Sequence, residues 1–472
     1  MDKFVNTEDV RMPNSALKRG RGTRSIEVDD ELMEDIRELI RGGARTVMLN
    51  IFADLHPADI ADILEHLTPG DRLVLFELLD ARVSSEVLLE LHPEVRQSLL
   101  EGLSSQRLTS IVSQLDSDDA TDLVAELPEE VARKVLEAIP KEDSEEVQDL
   151  LRYPDDTAGG IMAREFIAVN RKATIKRALR EVRKMAKQGG EVYNVYVVDD
   201  DGRICGYLPL QNLVIHSPNR KIYKVMDPDV ISVKADVDQE AVAEIFKKYD
   251  ILSLPVVDGD NHVIGRITVD DVVDVIVEEN TEDIQKMAGL AGAETAGSTI
   301  FQVSRIRLPW LLLAFAGELV SVFVLQNFQA SIEKIVAAAF FIPIVMAMGG
   351  NAGIQSSALV VRGLATGEIW LGRTRKRVLK EMGVALMNGL ILSSLIFAIS
   401  SIWFNDALFG MTVGISLLVV VANATVVGAL VPLGLAKLRI DPAIATGPFI
   451  TTSNDVVGLL IYFGCMTFIY LR

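Results

Sequence analysis

Apolar and polar positions follow three different patterns along the chain. From Leu308 onward apolar residues run together in five stretches, roughly 308–328, 335–360, 379–404, 408–436 and 443–471. Each is close to the ~20 residues that a helix needs to cross about 30 Å of hydrocarbon. In lipid such stretches must be helical, because backbone groups find partners only within the segment. A soluble core could bury one or two runs of this kind, but not five in succession. From about 29 to 150 the pattern is of short amphipathic helices stopped by Pro or Gly. His56-Pro57-Ala58-Asp59-Ile60-Ala61-Asp62-Ile63-Leu64 and Asp118-Asp119-Ala120-Thr121-Asp122-Leu123-Val124 share this helical pattern, as expected of stacked helices that each bury one apolar stripe. The third pattern is of strands. Val195-Tyr196-Val197-Val198-Asp199-Asp200-Asp201-Gly202-Arg203-Ile204-Cys205-Gly206 aligns without gaps to Leu254-Pro255-Val256-Val257-Asp258-Gly259-Asp260-Asn261-His262-Val263-Ile264-Gly265, an offset of 59. Each copy reads as a buried strand, a polar turn, a second strand and a helix starting near Gln211 or Asp270. Upstream, each has a Met (Met162, Met226), a short strand and an amphipathic helix.

Charge sharpens the division. The chain has 472 residues, a net charge of −19 and 49% hydrophobic residues, with a positive mean hydropathy. Residues 301–472 hold seven acids and twelve bases, a net of +5, which leaves 59 acids and 35 bases, a net of −24, for residues 1–300. A strongly acidic region thus precedes a weakly charged apolar one. An acidic surface repels phosphate backbones, which excludes a nucleic-acid binder relying on bulk basic charge. Cys205 and Cys465, far apart in unlike contexts, exclude a disulfide scaffold. Residues 1–28 are polar, with Lys18, Arg19, Arg21 and Arg24, and read as a disordered tail without a signal-peptide core. Arg305 and Arg307, then Arg373, Arg375, Lys376, Arg377 and Lys380, then Lys437 and Arg439 all flank the same side of the five spans. Basic loops stay in the cytoplasm, so the acidic region is expected in the cytoplasm and the C-terminus outside.

An ionisable residue at membrane depth is costly and usually faces a cavity or a partner. Asp455 lies mid-way along the last span, after Thr451, Thr452, Ser453 and Asn454, oxygen-bearing side chains that water or a hydrated cation could use. Its alternative reading is a helix–helix hydrogen bond or a proton site. Asp441 begins the same span, where a carboxylate also complements the helix dipole. Glu318 sits mid-way along the first span, able to pair with a helix, meet a second subunit or line a pore. Pro343 and Gly349-Gly350-Asn351-Ala352-Gly353-Ile354-Gln355-Ser356-Ser357 interrupt the second span, as expected of close helix approach or a broken helix. Ahead of the membrane, Asp270, Asp271, Asp274, Glu278, Glu279, Glu282 and Asp283 crowd one apparent helix. Such a run is ordinarily a solvated face. Here Asp118, Asp122, Asp238, Glu240 and Asp250 in the neighbouring domains offer further carboxylates, so divalent cations could bridge domains. Hard oxygen donors without His or Cys favour Mg2+ or Ca2+ over Zn2+.

The repeated strand–turn–strand–helix pattern resembles a pair of CBS domains. Many such pairs bind adenine nucleotides, with Gly-x-x-Ser/Thr-x-x-Asp holding the ribose. Gly265-Arg266-Ile267-Thr268-Val269-Asp270-Asp271 matches that segment, placing Thr268 and Asp271 at a candidate ATP site, whereas Gly206-Tyr207-Leu208-Pro209-Leu210-Gln211-Asn212 lacks the hydroxyl and the acid. The whole order resembles the MgtE family of magnesium channels. The resemblance is carried by Tyr153-Pro154-Asp155-Asp156-Thr157-Ala158-Gly159-Gly160-Ile161-Met162, Leu308-Pro309-Trp310-Leu311, Gly349 to Gln355, and Asp455-Val456-Val457-Gly458-Leu459-Leu460-Ile461-Tyr462.

That resemblance implies a multidomain membrane protein: an α-helical superhelical N domain (29–150), an α/β tandem CBS pair (151–277), an acidic connecting, plug-like helix (278–304) and a five-helix α transmembrane pore domain (305–472). It implies a homodimer in the cytoplasmic membrane, in contact with lipid, in which Asp455 of each subunit holds hydrated Mg2+ and Asp441 is a second pore acid. Mg2+ sheds water reluctantly, so carboxylates reading an intact hydration shell can select it and release it. The family's regulatory Mg2+ positions map onto Asp118, Asp122, Asp238, Glu240, Asp250, Asp271, Asp274, Glu279, Glu282 and Asp283, with Glu86 matching less closely. Gly447 departs from the pattern, since a relative has Asn there. The expected mechanism is feedback: scarce cytosolic Mg2+ lets the carboxylates repel and the pore open, and bound ions close it. The competing readings are an ion-coupled secondary transporter of divalent cations (Co2+, Mn2+), whose flux would depend on a second ion's gradient, and a non-transporting membrane-anchored CBS sensor, which would not need Asp455. No nucleophile–base constellation or phosphate loop points to an enzyme.

Overall fold

The structure is a computed structural model that describes residues 29–187, 190–290, 299–366, 368–369, 374–445 and 447–471. The disordered tail expected over 1–28, and Arg373 of the basic loop, lie outside them. The chain forms two compact units, residues 1–276 and 277–472.

The first unit opens with ten helices, α1 (Asp30–Arg41) to α10 (Lys141–Leu150), of 8 to 12 residues each. Their shortness is written in their starts. Asp29, Thr68, Asp80 and Ser104 each accept a backbone N–H in the first turn of the helix they cap, and Pro stands at the first turn of Pro57–Glu65, Pro69–Phe76 and Pro93–Gly102. Both devices satisfy or dispense with donors that have no intrahelical partner. Ile60, Leu64, Leu75, Phe76, Val87, Leu88, Ile111 and Val135 join one continuous core along the stack.

The two strand repeats follow. In the first copy β1 (Ala168–Asn170) pairs parallel with β2 (Asn194–Val198), which pairs antiparallel with β3 (Ile204–Pro209), with α11 (Ile175–Lys187) between β1 and β2 and α12 (Leu210–Ile215) after β3. The second repeats this with β4 (Val233–Lys234), α13 (Gln239–Tyr249), β5 (Ser253–Val257), β6 (Val263–Thr268) and α14 (Val269–Met287). The lead-in segments cross over. Ala163 exchanges two backbone hydrogen bonds of 2.8 Å with Arg266 of the second copy, and Asp227 does the same at 2.9 Å with Tyr207 of the first. Met162 accordingly packs in the second copy's core and Met226 against the first's. Each Met thus lies upstream of one copy in sequence but packs in the other, because each sheet's free edge is filled by the other copy's lead-in.

In the second unit, five helical segments among the described residues are long and apolar enough to cross a membrane: Ile300–Asn327, Val336–Ala365, Thr374–Phe404, Ala407–Lys437 and Gly447–Tyr470. They comprise α15 (Ile300–Asn327), a short α16 (Gln329–Lys334), α17 (Val336–Ala339) and α18 (Ile342–Ala365), α19 (Thr374–Phe404), α20 (Ala407–Lys437) and α21 (Gly447–Cys465) with a final π-helical turn. The first helix starts eight residues before Leu308 because Thr299 and Gln302 form a reciprocal cap. The second span breaks at Phe340–Phe341, just ahead of Pro343, while Gly349 to Ser357 remain helical. Those glycines serve close approach. A Cβ at Gly349 would lie 2.5 Å from Asn454 Oδ1, and one at Gly353 2.7 Å from Ile450 Cγ2.

Candidate functional site

The first group of acids lies where α8 (Ser117–Glu126) meets the second CBS copy. Asp116, Ser117, Asp118 and Asp119 begin that helix, favoured there because carboxylates complement a helix N-terminus. Ser117 donates its backbone N–H and hydroxyl to the two Glu165 oxygens at 3.1 and 2.8 Å. Across the contact, Thr268 donates its N–H and hydroxyl to Asp271 Oδ2 at 3.0 and 2.6 Å. Asp118 is buried. Burial, followed by the charges of Asp119 and Asp271, pushes its carboxyl well above the usual range. Asp119 is pushed up to about 7 by burial, then by Asp271, Asp116 and Asp122. Burial also raises Asp271, Asp116, Glu165 and Asp274. Arg266 is the basic group set against them, 4.0 Å from Asp116.

Of the other expected ligands of this unit, Asp122 lies on the same helix and its charge acts on Asp119, whereas Glu86, Asp238 and Asp250 have local partners or roles. Glu86 is exposed in an i,i+4 pair with Arg82 at 3.3 Å. Asp238 caps α13 by accepting the Glu240 N–H at 2.9 Å, and Asp250 ends the same helix in the left-handed conformation, φ 50°. Their positions thus have a helix-capping reason, and eleven helical residues separate them. Asp122 and Glu240 are exposed. Among the described residues no three His, Cys, Asp or Glu side chains are arranged to hold a metal ion.

In the second unit, Asp455 sits half-buried in the middle of α21, hydrogen-bonded to Glu318 of α15 and to Asn454. Asn454 is buried and donates to the Met346 carbonyl of α18 at 3.1 Å. Three membrane helices therefore converge on Asp455. The neighbouring hydroxyls are used locally: Thr451 donates to Gly447 O at 3.2 Å and Ser453 to Ile450 O at 3.0 Å. Glu318 thus takes the helix-pairing role, through the acid itself. A second membrane acid, Glu381, is buried and pairs with Arg377 at 2.8 Å while accepting from Ser356 at 3.1 Å.

Asp441 does not begin α21. It accepts from the Ala443 N–H at 2.8 Å and so caps the 3-10 turn Pro442–Ala445 that precedes that helix. Its other oxygen lies 2.7 Å from Lys286 Nζ, which is also 2.8 Å from Glu282. Asp283 is near the same place; burial and then the Asp441 charge raise its carboxyl. Glu279 adds a further charge there. Sequence reasoning missed Asp119, Glu165, Arg266 and Lys286. The acidic triplet around Asp118 was a signal for Asp119; single residues at 165, 266 and 286 gave none.

Stacked acidic helices, paired CBS copies and five helices long and apolar enough to cross a membrane, with a carboxylate mid-way along the last, give the domain order of a multi-pass membrane protein with attached CBS and helical domains. Family models agree segment by segment. The divalent cation transporter model named MgtE matches residues 342–465, the MgtE intracellular N domain 55–156, and the CBS domain 158–218 and 222–278. The magnesium transporter MgtE of Thermus thermophilus is 35% identical over 442 residues, covering 92% of this chain and 98% of its own. That of Bacillus subtilis is 34% identical over 438 residues, covering 93% and 97%. A crystal structure of the cytosolic domain of the Mg2+ channel MgtE in complex with ATP is 33% identical over 52% of this chain and 99% of its own, with a TM-score of 0.49. The chain belongs to the MgtE family of magnesium transporters.

Proposed function

We propose that this chain is a Mg2+-selective channel that imports magnesium across the cytoplasmic membrane as a homodimer, with the acidic domains in the cytoplasm and the C-terminus outside. Asp455 holds the hydrated ion in the pathway and Asp441 stands at its cytoplasmic mouth. Cytosolic Mg2+ closes the channel. The observation that carries the regulatory half is the gathering of Asp118, Asp119 and Asp271, whose carboxyls are raised first by burial and then by neighbouring carboxylates, so the compact arrangement favours an added positive charge. A divalent ion supplies it, so Mg2+ binds the compact state more tightly and shifts the population toward closure. Asp122, Glu240, Asp250, Asp274, Glu279, Glu282 and, at the margin, Glu86 join as water-bridged or partner-completed sites, whereas Asp238 serves as a helix cap and Asp283 as a like charge beside Asp441. For ATP, both Thr268 donors use Asp271 Oδ2, which leaves Oδ1 for a ribose hydroxyl.

The experiment is Mg2+ uptake into liposomes holding the full chain, with internal Mg2+ varied. Asp455→Ala is expected to cut uptake by about a hundredfold, comparable to losing a key electrostatic contact at a site of passage. Full uptake by this variant would remove Asp455 from the pathway. Flux following a H+ or Na+ gradient would favour the coupled-transporter reading instead.

A further inference from the structure

We propose that Lys286 is a tethered cation that latches the end of α14 to the mouth of the last membrane helix, occupying the place between Glu282 and Asp441 where a Mg2+ ion would otherwise sit. The inference rests on the reading that cytosolic Mg2+ closes the channel.

The geometry is that of a bridging cation. One ammonium contacts carboxylate oxygens from two separate chain segments at 2.8 and 2.7 Å, with its side chain about a quarter exposed. Charge-assisted bonds of this length are about twice as strong as neutral ones. Burial alone would lower the lysine's pKa, but the hydrogen bonds to Asp441 and Glu282 outweigh it and hold the group well above its ordinary value. Asp283 and Glu279, the other acids on this part of α14, leave the locality negative even with the lysine in place.

Packing supplies a second, uncharged observation. A Cβ at Gly447 would lie 2.6 Å from the Met287 carbonyl oxygen, and a Cβ at Gly289 2.8 Å from Pro448 Cγ. Gly289 also has φ +76°, which favours glycine. The last turn of α14 is therefore seated directly on the first turn of α21, and residue 447 must be glycine for it to seat. Gly447 thus makes room for the helix end that Lys286 holds.

Lysine and Mg2+ are not equivalent here. The ammonium is always present, so it stabilises the seated helix end without any ion, and a smaller rise in cytosolic Mg2+ completes closure. The test is the inhibition curve of uptake against internal Mg2+ for the full chain in liposomes. Lys286→Gln should raise the half-inhibiting concentration by about three- to tenfold, the effect of losing roughly one partly buried ionic bridge, and steepen the curve as Mg2+ takes the vacated place. Gly447→Ala should shift it the same way without changing charge. Lys286→Arg should restore the parent curve. A half-inhibiting concentration within twofold of the parent for Lys286→Gln, or a lower one, overturns the latch. If the parent chain itself is not inhibited by internal Mg2+, the regulatory reading fails first.

Discussion

The acids around α8 and those at the end of α14 belong to one excess of negative charge, but the protein treats them differently. At α8, Asp118, Asp119 and Asp271 are gathered in a contact that buries Asp118, with Arg266 4.0 Å from Asp116 and its charge offsetting Asp271 in part. At the end of α14, Glu282 and Asp441 hold a lysine between them at 2.8 and 2.7 Å. On the proposed reading the first group has an unmet demand for a cation and is the one that responds to the free concentration of Mg2+. The second is already neutralised in part, and an incoming ion must displace or supplement the resident charge. A carboxylate cluster reports ion concentration in proportion to what the chain itself has left uncompensated.

The largest effect expected from breaking this contrast is at the first group. Asp118→Asn combined with Asp271→Asn should make the metal-free chain as resistant to limited proteolysis, between the N domain and the CBS pair, as the parent is with Mg2+. The Mg2+-dependent gain in protection should shrink by at least about tenfold, with no transition left at the parent's midpoint, as buried charges are removed rather than paired. An unchanged midpoint would mean the group is not the sensor. Next comes pH. The carboxyls of Asp118, Asp119 and Asp271 are raised in the compact state, so that state binds more protons than the separated one, and its stability falls as pH rises from the ordinary value of 3.8 toward the Asp119 value of about 7. Without divalent ions, protection should therefore be strong near pH 5 and weak at pH 8, and Mg2+ should abolish the difference. Protection that grows with pH contradicts this.

A smaller effect is expected at the second group. Asp283→Asn removes a charge that repels Asp441, so the half-inhibiting Mg2+ concentration should fall by about two- to threefold, in keeping with part-exposed pairs. A rise would show that Asp283 acts as an ion ligand there. Smallest of all, Asp238→Ala removes a cap worth about 1 kcal/mol. It should lower the first thermal transition by a few degrees and leave the Mg2+ midpoint in place, whereas a shifted midpoint would return Asp238 to the sensor.

Much of this architecture could be read from local pattern. The five apolar runs and the 59-residue offset depend on periodicity and composition alone, and the strands and spans fall where these place them. The mid-span position of Asp455 was equally legible, since a carboxylate in an apolar run stands out against its neighbours. What could not be read are the partners. Glu165 reaches Ser117 across 48 positions and Lys286 reaches Asp441 across more than a hundred, and a single base among many acids looks like ordinary surface variety. Asp238 and Asp250 show the converse: acids flanking a helix satisfy local backbone requirements whether or not they also meet an ion.

The exchange of lead-in segments between the CBS copies bears on how this chain folds. β6 gains its neighbour at Ala163 only when a stretch about a hundred residues earlier in the chain returns to it, and such distant closure is slow relative to helix formation. The stacked helices, built from near neighbours, are ready first. Neither CBS copy completes its sheet without the other, so the pair gains its structure in one cooperative step and loses it in one. A strain imposed on either half by an ion or a nucleotide is therefore shared by a single folding unit, and cutting the chain between the copies should yield no stable half.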